Sequence, residues 1–252
     1  MERISFGRML NTEEVIEKID HAIRSKQPFC LVRVGDGENL VLAQEKVMPI
    51  DQVIRTRWGR RSRETKSKGI SLPNLKARDK MIRAIKQADL VGIPYYKDRE
   101  LRAPQIYLRS LTNKCFKTYG IRPKQVCHTL VNRHLVEKQS FWQMLRGRRV
   151  TVISKWADSF AKLVEKEYAD FQIQFVAKIP FSHYDQIEQT VRRMEKVDCD
   201  IVLISTGVNA VILAEKLARR QGRVAIDFGK SAMFMIQRKK DRVRPWKAGD
   251  SS

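Results

Sequence analysis

The spacing of apolar residues changes period several times along the chain, and each change marks an element. Val15, Ile16, Ile19, Ala22 and Ile23 recur at helical intervals, predicting an amphipathic helix over 12–26. Asn11 followed by Glu14 supplies a capping box at its start, and Gln27-Pro28 ends it. Phe29 to Val34 is then nearly all apolar and reads as a strand, after which Gly35-Asp36-Gly37 turns into a short helix through Leu40 and Ala43. A second helical stripe, Ala77, Met81, Ile82, Ala84 and Ile85, predicts a helix over 75–88, running into a strand over 90–93 that stops at Pro94.

From 101 to 148 the pattern is helical with interruptions, centred on 106–111 and 134–145. The C-terminal half is plainer. Strand-like, largely apolar runs at 150–153, 173–176 and 201–204 are of the type found in strands buried on both faces, and Val224-Ala-Ile-Asp227 adds a last one. Helical patterns over 158–168, 184–197 and 208–221 separate them. Strands alternating with helices across short joints predict an α/β fold with a mainly parallel, doubly wound Rossmann-like sheet and helices on both faces. One domain over 1–236 is expected, followed by a basic, loosely ordered tail over 237–252.

Composition narrows the partners. Fifty Lys and Arg against 28 Asp and Glu leave a formal charge of +22, which attracts polyanions such as nucleotide diphosphates, nucleic acid or anionic membrane surfaces. The chain lacks interleaved aromatic platforms or an RNA-binding motif, so no specific nucleic acid is expected. A non-catalytic basic binder of nucleic acid or anionic surfaces is the alternative class. Cys30, Cys115, Cys127 and Cys199 form no CxxC pair and read as buried thiols in a reducing compartment. No apolar run approaches the roughly 20 residues of a membrane span, so a cytoplasmic location is expected, with peripheral contact at an inner membrane surface through the tail.

In an open α/β sheet ligands bind beyond the carboxyl ends of the strands, which selects 33–38, 154–158, 205–209 and 227–230. Asp36 and Glu38 stand two apart at such an end between Gly35 and Gly37, and two hard oxygen donors suit Mn2+ or Mg2+. The same spacing would let Asp36 cap the following helix, with Glu38 favouring its positive end. A phosphate-cradling GxGxxG turn fits less well, because the further glycine it needs is Leu40. Arg55, Arg57, Arg60, Arg61, Arg63, Lys66 and Lys68, with Trp58 among them, read as a loop able to close over a diphosphate, or as a solvated basic face. Ser205-Thr206-Gly207 joins a strand to a helix and offers backbone N–H groups and two hydroxyls to an anion or ribose, or simply caps the helix. Asp227 ends the last strand and has three candidate uses: capping of the Phe228-Gly229 turn, nucleotide contact, or general base.

With these residues in view, the chain resembles the GT-D fold family of glycosyltransferases. The resemblance rests on Phe29-Cys-Leu-Val-Arg-Val-Gly-Asp-Gly-Glu38, similar to an R-[YF]-G-D-G-E motif, and on Ile201 to Ala218 through Ala225-Ile-Asp-Phe-Gly229. It implies a metal-dependent transferase using a nucleotide-sugar donor, UDP-linked donors among them, in surface glycan or glycoconjugate synthesis. The implied acceptor is a glycan, a glycoprotein or a lipid-linked intermediate. Asp36 and Glu38 would be catalytic and hold the ion. Arg33, Gly35, Gly37, Arg60, Arg61, Ser205, Thr206, Gly207 and Asp227 would line the donor site. Lys230 stands where the family usually has a histidine.

Overall fold

Side chains of successive strand residues point to opposite faces of a sheet, and here both sets are apolar. In the strand Phe29–Arg33, Cys30 and Val32 enter one hydrophobic cluster, whereas Phe29 and Leu31 enter another. Such a strand needs a helix layer on each side. The structure, a computed structural model describing residues 6–64 and 68–237, meets that need with eight parallel strands in one sheet.

The strands are β1 (Met9–Leu10), β2 (Phe29–Arg33), β3 (Leu90–Ile93), β4 (Val126–His128), β5 (Arg149–Ser154), β6 (Gln174–Ile179), β7 (Ile201–Ser205) and β8 (Val224–Asp227). Across the sheet they run β1-β4-β3-β2-β8-β7-β5-β6, so the chain builds outward from β2 on one side and returns to it from the other.

One cluster is covered by α2 (Asp36–Ala43), α5 (Leu75–Gln87), α6 (Arg109–Tyr119), α10 (Ile187–Met194) and α11 (Asn209–Gln221). The other is covered by α1 (Thr12–Ser25), α7 (Val131–Val136), α8 (Gln139–Met144), α9 (Ala157–Glu167) and α12 (Ser231–Gln237). Two further short helices, α3 (Ile50–Arg55) and α4 (Arg57–Glu64), lie between α2 and α5 in sequence.

The capping box at Asn11 is present: its side chain accepts from the Glu14 amide at 3.0 Å, and Glu14 reaches back to the Asn11 amide at 2.8 Å. Three sequence expectations change. The basic stretch read as a loop is helical over 50–55 and 57–64, with Thr56 between the helices accepting from the Gly59 amide at 2.9 Å. The helical reading of 101–148 gives way at 126–128 to β4, which pairs with β1 and β3. The strand expected at 173–176 runs over 174–179, at the sheet edge, with a register shift against β5 that leaves Val176 without a paired residue. All four cysteines are free and buried. Among the described residues no helix is long and apolar enough to cross a membrane. The tail from 238 onward and Lys66 lie outside the described residues; Gln237 belongs to α12.

Candidate functional site

The order of the strands makes β2 the switch point, with β3 on one flank and β8 on the other. Loops leaving β2 and β8 therefore diverge and open a crevice at their carboxyl ends. Into it project the turn after β2, carrying Asp36 and Glu38, and the last residue of β8, Asp227.

Arg33 closes the floor. Its Nε donates to the Asp227 carbonyl at 3.1 Å and its Nη2 to Asp227 Oδ1 at 2.9 Å. Its Nη1 donates to the Thr129 carbonyl at 2.9 Å and to Asn132 Oδ1 at 2.8 Å. The guanidinium thus joins β2, β8 and the β4–α7 connection. Gly229 (φ +53) permits this approach, since a Cβ there would collide with Arg33 Nη2. The Asn132 amide also donates to Ser231 Oγ at 2.7 Å and to the Phe228 carbonyl at 3.0 Å, extending the network to the start of α12.

Asp36 is the first residue of α2, and Glu38, not Asp36, satisfies the exposed backbone at the helix start: its Oε2 accepts from the Gly35 amide at 2.9 Å. Burial pushes the Glu38 carboxyl up to about 7, and the negative charges of Asp227 and Asp36 push the same way against Arg33. Asp227 is also raised by burial, although Arg33 and the Gly229 amide at 2.9 Å hold its charged form. That amide contact realises the turn-capping use of Asp227. Its other oxygen, Oδ2, is buried without a hydrogen-bond partner. Asp36, Glu38 and Asp227 thus bring negative charge into one crevice, opposed there by Arg33.

Basic residues gather around Lys68, which lies within electrostatic reach of Asp36. Burial lowers Lys68 from its ordinary range, assisted by the positive charges of Lys230, Arg61 and Arg57, while Asp36 opposes the shift. Lys68 Nζ sits 5.7 Å from the centroid of Trp58. Trp58 in turn lies against Gly37: a Cβ on Gly37 would be 2.9 Å from the indole Nε1. The glycine of the turn is thus the seat for α4, which carries Arg57 and Arg61 beside Lys68. Arg60 is an exposed residue of the same helix, and the structure places no contact between it and Asp36 or Lys68 among its described interactions.

The Ser205-Thr206-Gly207 turn forms another wall. Ser205 Oγ donates to the Gly229 carbonyl at 2.7 Å, so one of its two hydroxyls is committed to joining β7 to the β8 turn. The Thr206 hydroxyl is buried without a partner. A Cβ on Gly207 would stand 3.6 Å from the Lys68 carbonyl, and Asn209 donates to the Gly69 carbonyl at 2.7 Å, which ties this wall to the basic one. Lys68 falls in the basic run and Lys230 in the 227–230 segment that the sequence singles out, but nothing in their spacing shows that the two come near each other. Two open concavities of about 350 and 600 Å³ lie at the opposite, amino end of the sheet around Glu17, Lys18 and Gln125, away from these groups.

Among curated proteins, none matches the chain's sequence. Two solved structures share the fold. One, of the highly conserved domain of unknown function 1792 and described as having a distinct glycosyltransferase fold, aligns with a TM-score of 0.54 at 16% identity, covering 89% of this chain and 79% of that one. The other, a selenomethionine-substituted structure of the same domain, aligns at 0.50 and 14% identity, covering 88% and 83%. The sequence profile of the GT-D fold-like domain matches residues 10–235, spanning both the Arg33–Glu38 turn and the Asp227–Gly229 turn, and the chain therefore belongs to the GT-D-like family, with a glycosyltransferase fold.

Proposed function

We propose that the chain is a glycosyltransferase that takes its sugar from a nucleotide-sugar donor with the help of a divalent cation. The observation that carries this reading is the buried, partnerless Asp227 Oδ2 in the crevice that the Asp36–Glu38 turn enters. Asp36 and Glu38 would hold the ion, with Asp227 beside them as wall and third carboxylate. The ion would supply positive charge to the diphosphate as it departs.

The chain's own residues account for the remainder. Arg57, Arg61 and Lys230 gather around Lys68, which is within electrostatic reach of Asp36, and this cationic group would take up the charge of a diphosphate bound there. Arg33 positions the floor through β2, β8 and Thr129 and spends its hydrogen bonds there. The Thr206 hydroxyl offers a partner to a ribose or phosphate oxygen.

The test is thermal stabilisation by a panel of UDP-sugars and other nucleotide-sugars, with and without MnCl2, followed by donor hydrolysis in the positive cases. Stabilisation by a donor that needs manganese, abolished in a folded Asp36→Ala variant, is expected. A panel that gives no manganese-linked stabilisation, while the chain binds RNA with a steep salt dependence, would favour the non-catalytic alternative.

A further inference from the structure

At the carboxyl ends of β3 and β4, on the other side of Thr129 from the acidic centre, a second group of ligating side chains comes together. One ligand atom each of Glu100, His128 and His134 lies within 4.8 Å of the other two. His134 Nε2 and Glu100 Oε2 are 3.0 Å apart. Glu100 is exposed, His134 is partly exposed, and His128 is only 5% exposed.

His128 is held in a way that leaves one ring nitrogen spare. Its Nε2 meets Asp98 Oδ2 at 2.7 Å. The Asp98 carboxylate accepts from the Tyr95 amide at 3.1 Å and from the Glu100 amide at 3.0 Å, so it is an acceptor and His128 Nε2 is the donor. The other nitrogen, Nδ1, is buried and has no hydrogen-bond partner. The ring is fixed in orientation by stacking on Tyr95, with centroids 4.3 Å apart and planes 5° from parallel, and His134 stacks beyond it at 5.6 Å.

A carboxylate that holds one imidazole nitrogen and frees the other as a lone pair is the arrangement that orients metal-ligating histidines. Two imidazoles and one carboxylate are the donors of a borderline ion, with zinc the best fit, and three protein ligands leave a position open to water. We propose that His128, His134 and Glu100 form a zinc site, with Asp98 as its positioning residue. It is separate from the hard-cation centre at Asp36 and Glu38 and does not depend on the transferase reading. A bound ion would join α7 to the 94–104 connection. That connection is already organised around Asp98, whose carbonyl accepts from Gln105 Nε2 at 2.7 Å.

The experiment is calorimetric titration of the untagged, chelator-treated full chain with Zn2+, paired with Co2+ substitution read by visible absorption. Expected are one equivalent of Zn2+ at this site and a Co2+ band of the intensity typical of four-coordinate ions. Glu100→Gln and His134→Ala alter exposed or partly exposed side chains and should each weaken the binding at least ~10-fold, while Asp98→Asn should weaken it ~10- to 100-fold. Asp36→Ala should leave it unchanged. The test rests on the two outer ligands and Asp98, since loss of the buried His128 ring can disturb the fold. Absence of stoichiometric binding would overturn the proposal. So would binding that survives Glu100→Gln and His134→Ala but disappears in Asp36→Ala, which would put the ion in the crevice.

Discussion

Arg33 Nη2 and Asp227 Oδ1 meet at 2.9 Å across the joint between β2 and β8, bridging 194 positions of sequence, with the carboxylate fully enclosed. Removing the cation would strand a buried charge along with the Thr129 and Asn132 acceptors. Breaking such a pair from one side costs about 3–5 kcal/mol. Arg33→Met should therefore lower stability by that amount in urea denaturation at neutral pH, and a loss below about 1 kcal/mol would show that the joint is held by packing alone.

Glu38 sets a pH dependence whose direction follows from its shift. Its carboxyl is raised from an ordinary 4.5 to about 7, so between these values the folded chain holds a proton that the unfolded chain releases. The contribution to stability is full below 4.5, declines as pH rises, and is lost above about 7. The whole span corresponds to about 3 kcal/mol. In chelator, wild type should lose stability relative to Glu38→Gln between pH 4.5 and 8, as read from paired denaturation curves. Parallel curves would mean that Glu38 is ionised throughout.

Gly37→Ala tests the seat of α4. The added methyl would meet the Trp58 indole at 2.9–3.1 Å, so the partly buried ring has to shift. Under the transferase reading, donor affinity should fall roughly 10-fold or more while the sheet core, which lies below the turn, keeps its unfolding transition. Tryptophan fluorescence should report the displacement. An unchanged spectrum and unchanged donor affinity would separate Trp58 from the donor site.

The basic wall makes a further separable prediction. Lys68→Ala and Arg61→Ala each remove a cation from the group around Lys68 and, under the transferase reading, should weaken binding of nucleoside diphosphate with manganese, with a reduced salt slope. Arg60→Ala, on the same helix, should have a smaller effect. Equal losses from all three would point to a diffuse field in place of a local cage.

What is legible in the sequence follows from periodicity. β2, β3, β5, β7 and β8 are continuous apolar runs, and α1, α5 and α11 carry full apolar stripes, so the parallel sheet and the crevice can be located. β4 cannot, because three residues, Val126-Cys127-His128, are too few to show a period. α4 is hidden for a different reason: it buries Gly59 and Ser62 in place of large apolar side chains, so its pattern of charge looks like a solvated loop. The D-x-E turn is visible as chemistry, but the proximity of Asp227 to Glu38 depends on which strands pair, and that is a property of the sheet order. His128 and Asp98 are invisible as a pair for the same reason, being 30 residues apart, one at the end of β4 and the other on the connection after β3.

The sheet order has a consequence for how the molecule comes into being. Until β8 is in place, the order β1-β4-β3-β2 on one side and β7-β5-β6 on the other are two half-sheets with no strand pairing between them. The strand that joins them is the last of the eight to be synthesised, and it carries Asp227. A nascent or truncated chain ending before Val224 therefore presents two bare strand edges, at β2 and β7, both apolar on each face and both open to pairing with other chains. Closure of the sheet and completion of the acidic centre are one event.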